Sequence, residues 1–388
     1  MDQVSPRIAE IPPSLTLSIT SQVKAMKAEG RDICSFGAGE PDSGTPEHIV
    51  EAAIKALHDG HTRYTAAVGI LELREAIAAK FVADNNLEFE TSQISVNCGA
   101  KHSCFNAVLA TCGEGDEVII PTPYWLSYPE MVRMVGAEPV FVQTKEENGW
   151  KITAEQFEDA MSPRTKMIII NTPGNPTGAV YTRSELEAIG EVAISEDILI
   201  LSDEIYEKLI YDELEHVSIA SLSDELKGLT ITVNGFSKAY AMTGWRLGYM
   251  AAPEPIAKAV ATIQSHSTSN PTTFAQYGGL AAIQGDQQIV ADMREEFDMR
   301  RQYMMSRFGA INNISVVEPK GAFYFLVNIG GMGLTSVNLS EKLLSRYEVA
   351  VVPGIAFGDD RTIRFSYAAG LDVIKKGIDR FEEFCKAH

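Results

Sequence analysis

The segment NGFSKAYAMTGWRLGY, beginning at Asn234, places Lys238 just after an apolar run that reads as a buried strand. A lysine amine there can reach a crevice beyond the strand end and form a Schiff base with a carbonyl group. An unselected lysine more often solvates a surface, so the reading needs partners. One set lies upstream, where ILILSDEIY ends in Asp203, Glu204 and Tyr206. Unpaired carboxylates are costly directly after such an apolar run. Asp203 could pair with a protonated ring nitrogen and Tyr206 could donate to a phenolic oxygen, although a strand-end acid also commonly caps the next helix. NTPGNPTG from Asn171 adds Asn175. Its amide could serve the same phenolic oxygen or close an Asx turn, on a path constrained by prolines and glycines. Pyridoxal 5′-phosphate adds an electron sink to such covalent lysine chemistry, and an acidic partner for its ring nitrogen is a recurring requirement of its sites.

These residues need a scaffold, and the sequence outlines one. ISVNCG from Ile94, DEVIIPTP from Asp116, EPVFVQT from Glu138, KMIIINT from Lys166, ILILSDE from Ile198 and LTITVNG from Leu229 read as short strands separated by helical patterns. Several are apolar without alternation, as in strands covered on both faces, so an α/β architecture with a mostly parallel sheet is expected. Thr153 with Gln156, and Thr182 with Glu185, fit the capping-box pattern, and Thr45 before Pro46 resembles an N-cap followed by proline. After about Ala281 the pattern becomes a long polar helix whose charges read as a solvated face, with Met304, Met305 and Phe308 packing inward. GAFYFLVNI, VAVVPGIAF and TIRFSYA then give three strand-like pieces before a final helix near Val373 to Phe384. The expected division is a segment 1–40 that joins the smaller domain and the substrate cleft, a large domain over 41–285, and a connecting helix with a smaller α/β domain over 286–388.

With 388 residues, 45% of them hydrophobic, the chain can bury a large core. A formal charge of -19 argues against a nucleic-acid partner, which would call for a basic patch. The N-terminal residues lack the basic start, apolar core and cleavage site of a secretory signal, and no apolar run is long enough for a membrane span, so a cytoplasmic protein is expected. Cys34, Cys98, Cys104, Cys112 and Cys385 have no metal-ligand spacing and read as reduced thiols, with Cys98 and Cys104 in the core. No metal is expected.

Taken in order, AGEPD at Ala38, RYTAAVGILELREAI from Arg63, NCGAKHS from Asn97, PTPYWLSYPEM from Pro121, NTPGNPTG, SDEIYEKLIY, NGFSKAYAMTGWRLGY, VVPGIAFG and IRFSYA resemble the fold-type I aminotransferases, specifically the bacterial and plant-type aspartate aminotransferase family. The resemblance runs across nearly the whole chain. It implies that Lys238 holds pyridoxal phosphate covalently and later acts as general acid and base. It further implies that Asp203 faces the pyridine nitrogen, that Asn175 and Tyr206 contact the phenolic oxygen, and that Trp125 stacks on the ring. Phosphate binding falls by the same resemblance to Arg246, Ser237, the backbone at Gly99, Ala100 and Lys101, and Tyr64 arriving from a second subunit, which implies a homodimer. Some relatives carry another serine at the position of Gly235, so one serine fewer is available here.

For substrate, the resemblance assigns the α-carboxylate to Arg364, whose planar guanidinium can make two parallel hydrogen bonds, with the Gly39 backbone beside it. Lys101 with Ser14 and Thr16 would recognise a distal acidic group. The implied reaction converts L-aspartate and 2-oxoglutarate to oxaloacetate and L-glutamate by a ping-pong route. Thr16 and Lys101 also accompany prephenate transamination in some relatives, which keeps that activity open beside an aromatic amino-acid activity. A decarboxylase, racemase or carbon–sulfur lyase could share the fold, and a non-catalytic cofactor-binding regulator is a further alternative. A dinucleotide-dependent dehydrogenase is disfavoured by the lack of a convincing GxGxxG turn.

Overall fold

The apolar runs that lack alternation pair with one another as the interior of a seven-stranded sheet. A computed structural model describes residues 4–9 and 11–388; residues 1–3 and 10, part of the N-terminal segment expected at the substrate cleft, lie outside the described residues. Across the sheet the strands run Ile94–Asn97, Gly248–Ala251, Thr230–Gly235, Leu199–Asp203, Thr165–Asn171, Glu117–Thr122 and Glu138–Gln143. All six expected strands are present. The seventh, Gly248–Ala251, is antiparallel to both of its neighbours, whereas the other pairings are parallel. Helices cover both faces, so Met167, Ile168, Ile169 and Ile170 are all buried, which is why their strand shows no polar alternation.

Both capping boxes form. Thr153 Oγ1 accepts the Gln156 N–H and Thr182 Oγ1 accepts the Glu185 N–H, each reciprocated by the second side chain. Thr45 behaves differently. The helix it was expected to cap is Glu47–His58, with Pro46 at the N-cap position and no side-chain cap. The Thr45 hydroxyl is engaged elsewhere, donating to the Ala241 carbonyl at 2.8 Å and accepting from Trp245 Nε1 at 2.9 Å. A long-range tie to the segment that follows Lys238 therefore displaces the local cap.

A second, four-stranded antiparallel sheet has the order Val352–Pro353, Thr362–Ser366, Tyr324–Asn328, Ser315–Val316. Cys34–Ser35, from the N-terminal region, pairs in parallel with Val349–Ala350. The helices Gln288–Phe308 and Leu371–Ala387 contribute Phe297, Met304, Phe308, Ile378 and Phe381 to the same apolar core. Met304 and Phe308 are buried as expected, and Met305 packs beside them.

The charged face of the long helix is not wholly solvated. Arg300 and Arg301 are buried among partners from distant parts of the chain. Arg300 grips Asp42 at 2.9 and 3.0 Å, while Arg301 meets Asp212 at 2.6 Å, Glu318 at 3.0 Å and the Pro319 carbonyl at 3.0 Å. A helical pattern cannot reveal acids that arrive from elsewhere in the sequence. Replacing Arg301 by alanine is expected to cost about 2–4 kcal/mol, because the carboxylates lose a buried partner and a cavity remains. Urea unfolding should show a lower midpoint at unchanged slope.

Among the described residues no helix is long and apolar enough to cross a membrane. Cys104 is buried as expected; Cys98 is only half-buried, just before the helix start at Gly99, and its carbonyl accepts from Arg246 Nη2 at 3.3 Å.

Candidate active site

The C-terminal ends of the parallel strands open on a cleft of about 440 Å³, the position that open α/β sheets reserve for ligands. Lys238, Asp203, Tyr206, Asn175, Trp125, Ser237, Arg246, Ala100, Lys101, Gly39, Thr16 and Arg364 all line it. Three of the expected residues do not, the first being Gly99, which borders the Arg246 guanidinium at the start of the next helix. Ser14 stands just outside, its hydroxyl 3.0 Å from Thr16 Oγ1, and Tyr64 projects from the surface with 87% of its area exposed.

Asp203 ends its strand 4% exposed. Burial pushes its carboxyl above the usual range, and donors from the Tyr128 hydroxyl at 2.6 Å, the Ile205 amide at 3.2 Å and the Cys104 thiol at 3.7 Å pull it back. A buried acid so supported is suited to a cation placed against it. Glu204, the next residue, serves the fold: it accepts from Ser202 and Ser218, each at 2.8 Å, and contacts His216 Nε2 at 2.8 Å. Asn171 fixes NTPGNPTG in place. Its side chain accepts the Asn175 N–H at 2.8 Å and donates to the Asp203 carbonyl at 2.9 Å.

Lys238 donates to the Gly39 carbonyl, joining the AGEPD segment to the floor of the cleft. Burial, reinforced by the positive charge of Arg364, lowers its amine to about 8. Roughly a tenth of such an amine is neutral at pH 7, against well under a hundredth of an ordinary lysine, and the neutral form is what Schiff-base formation requires.

Arg364, 2% exposed, donates to Asn175 Oδ1 at 2.9 Å and to the Gly37 carbonyl at 3.0 Å. Its guanidinium carbon lies 4.4 Å from the Tyr324 ring centroid and 5.1 Å from that of Phe357. Its Nε is buried without a partner among the described residues. A cation held this firmly in the cleft wall is a ready carboxylate receptor. Lys101 places its ammonium 4.9 Å from the Trp125 ring centroid, and burial followed by the charge of Arg246 lowers its pKa.

At the other end, the helix Ala100–Thr111 begins at Gly99 with φ of 94°. The Ala100 and Lys101 amides have no acceptor among the described residues, Arg246 Nη2 reaches the neighbouring Cys98 carbonyl at 3.3 Å, and Ser237 lines the same cleft. A Cβ on Gly99 would come 2.5 Å from Arg246 Nη2, and a φ of 94° is a conformation that other residues disfavour, so glycine suits this turn. Helix-start amides, a hydroxyl and a guanidinium make a cradle for a phosphate group. With a buried acid for a ring nitrogen and a low-pKa lysine in the same cleft, the donor set fits pyridoxal phosphate. Gly235 has its own physical reason: a Cβ there would lie 2.9 Å from Gly248 Cα and 3.3 Å from the Leu247 carbonyl. Close strand packing leaves no room for a second serine.

Tyr128, Tyr324, Asn171 and Thr243 also line or support the cleft but were not assigned from sequence. Tyr128 sits in the quoted PYWLSYPEM, three residues after Trp125 where a helix begins, so its spacing carried a signal. Tyr324 carried none, because its relation to Arg364 depends on strand pairing.

Comparison with known proteins agrees over the full length. The profile described as aminotransferase class I and II matches residues 31–380. An aspartate aminotransferase of Bacillus subtilis is 47% identical over 391 residues, covering 100% of both chains. An aspartate/prephenate aminotransferase of Cereibacter sphaeroides is 43% identical, covering 98% of each. The crystal structure of the Rhizobium meliloti aspartate aminotransferase superposes with a TM-score of 0.96 at 39% identity, covering 100% of this chain and 99% of the other. With a cleft that joins a low-pKa lysine, a buried acid and a buried arginine, and with relatives matched from end to end, the chain belongs to the class I and II aminotransferases.

Proposed function

We propose that the protein transfers the amino group of L-aspartate to 2-oxoglutarate, giving oxaloacetate and L-glutamate, with pyridoxal 5′-phosphate as cofactor. The observation that carries this reading is the presence of two substrate-facing cations in one cleft, Arg364 in its wall and Lys101 at the start of the helix Ala100–Thr111. They match the two carboxylates of a dicarboxylic amino acid. When bound, pyridoxal phosphate supplies an aldehyde that carries the amino group between half-reactions and a ring that accepts electron density from the substrate's α carbon.

The chain's residues then divide the work. Ser237, Arg246 and the Ala100 and Lys101 amides hold the phosphate, Trp125 stacks on the ring, and Asp203 keeps the ring nitrogen protonated. Asn175 and Tyr206 donate to the phenolic oxygen. Lys238 anchors the cofactor and moves the proton at the α carbon, for which an amine with a pKa of about 8 is well matched. Arg364 and the Gly39 backbone orient the α-carboxylate, while Lys101, Thr16 and Ser14 receive the distal acid. Tyr64, exposed and outside the cleft, reaches a phosphate only on a second copy, so the working unit is a homodimer with active sites at its interface. Residues 41–285 form the cofactor-binding domain, and 1–40 with 286–388 form the smaller domain that closes the substrate cleft.

Replacing Lys101 by methionine is expected to lower kcat/KM for aspartate by roughly 10–100-fold, the worth of one hydrogen bond to a charged group. The value for phenylalanine should change less than about threefold, as read in half-reactions followed by cofactor absorbance. A second reading, transamination of prephenate, is favoured by Thr16 and Lys101 lining the cleft together. A half-reaction screen of aspartate, glutamate, prephenate and aromatic substrates with product identification tests both. Aspartate should yield oxaloacetate; efficient reaction of prephenate without any from aspartate would overturn the leading assignment.

A further inference from the structure

Tyr324 is fully buried and borders the cleft, yet the roles set out above leave it without work. It pairs with Ser366 across two antiparallel strands, while Arg364 lies two residues before Ser366 on the same strand. Both side chains therefore project from the same face as diagonal neighbours, and the ring covers the guanidinium at 4.4 Å. The Tyr324 hydroxyl lies 2.9 Å from that of Tyr206, with the two rings edge to face at 5.8 Å.

The direction of this hydrogen bond follows from the role assigned to Tyr206. Among the described residues each of the two hydroxyls has no hydrogen-bond partner but the other, and both residues border the cleft. With the Tyr206 proton committed to the phenolic oxygen of the cofactor, the Tyr206 oxygen is left as the acceptor and Tyr324 donates, which satisfies its buried hydroxyl. A donor whose oxygen already accepts a hydrogen bond is polarised into a stronger donor.

We propose that Tyr324 is a positioning residue: it donates to Tyr206, aims the Tyr206 hydroxyl at the phenolic oxygen of the cofactor, and through its ring ties that contact to the carboxylate receptor Arg364. The relay rests on the function proposed above, specifically on Tyr206 facing the cofactor. Burial keeps both phenols protonated across the working range, so Tyr324 acts through its hydroxyl and its place in the sheet, without titrating.

The test is a pH titration of the visible absorbance of the holoenzyme without substrate. A hydrogen bond to the phenolic oxygen disperses charge that would otherwise hold the proton on the nitrogen joining Lys238 to the cofactor. Losing that bond raises the midpoint. Tyr206→Phe should move it up by about 1 pH unit or more, and Tyr324→Phe, which keeps the ring and removes one oxygen, by roughly 0.3–1 unit. In the double variant Tyr324→Phe should add nothing to Tyr206→Phe. Phe297→Leu serves as a packing control, since that ring supports Phe323 from behind at 5.4 Å and does not line the cleft, and it should leave the midpoint in place. An unmoved midpoint in Tyr324→Phe, additivity in the double variant, or an equal shift in Phe297→Leu would each overturn the relay while leaving the cofactor reading intact. An unmoved midpoint in Tyr206→Phe would instead overturn the assignment of Tyr206, and the relay with it.

Discussion

Exchange of Lys238 for alanine is expected to lower transamination turnover by on the order of 10⁴-fold while cofactor still binds through its phosphate. The size combines a lost general base, by itself about 10²–10⁴-fold, with loss of the covalent anchor. The separation of the two effects follows from the geometry. The Ala100 amide, Ser237 and Arg246 line the cleft without involving the Lys238 amine, which reaches the Gly39 carbonyl instead. Lys238→Arg should fare no better, because a guanidinium stays protonated at any working pH and cannot shuttle a proton. Single-turnover kinetics with aspartate, alongside equilibrium dialysis of the cofactor, read the two effects apart. Turnover near that of the unmodified protein would contradict the role of Lys238.

The second large effect concerns Arg364. Leucine in its place should lower kcat/KM for aspartate by roughly 10³-fold, the worth of a buried bidentate charge contact in the transition state. Lysine should recover only a small part, since an ammonium cannot reproduce the fork that also grips Asn175 and the Gly37 carbonyl. The loss should extend to aromatic and dicarboxylic substrates alike, because every amino acid presents the α-carboxylate. Lys101→Met, by contrast, should spare the aromatic ones. Unchanged kcat/KM in Arg364→Leu, or a loss confined to dicarboxylates, would refute the assignment.

The sequence exposed those parts of the site whose chemistry is written into local segments. Lys238 after an apolar run, Asp203 at the end of another and Asn175 in a proline-bound turn each carry a signal within about ten residues, and all three converge on one cleft. Partners that meet through the fold were not legible in this way. Arg300 and Arg301 resembled any charged helix face until Asp42 and Asp212 reached them from distant segments. Thr45 looked like a helix cap because its competitors, the Ala241 carbonyl and Trp245, lie about two hundred residues further on. Tyr324 sits in an apolar run like any buried strand residue, and only the register against Ser366 sets it over Arg364. Gly248–Ala251 is short and follows directly on the Lys238 segment, so its reversed direction in the sheet has no local marker.

The central claim is that the Lys238 amine carries the cofactor, and sodium borohydride tests it most directly. Reducing the holoenzyme fixes any Schiff base as a stable secondary amine, and peptide mapping by mass spectrometry then locates the tag. The account predicts a pyridoxyl-phosphate adduct on the peptide containing Lys238; a tag on another lysine, or none on a protein that retains bound cofactor, would contradict it.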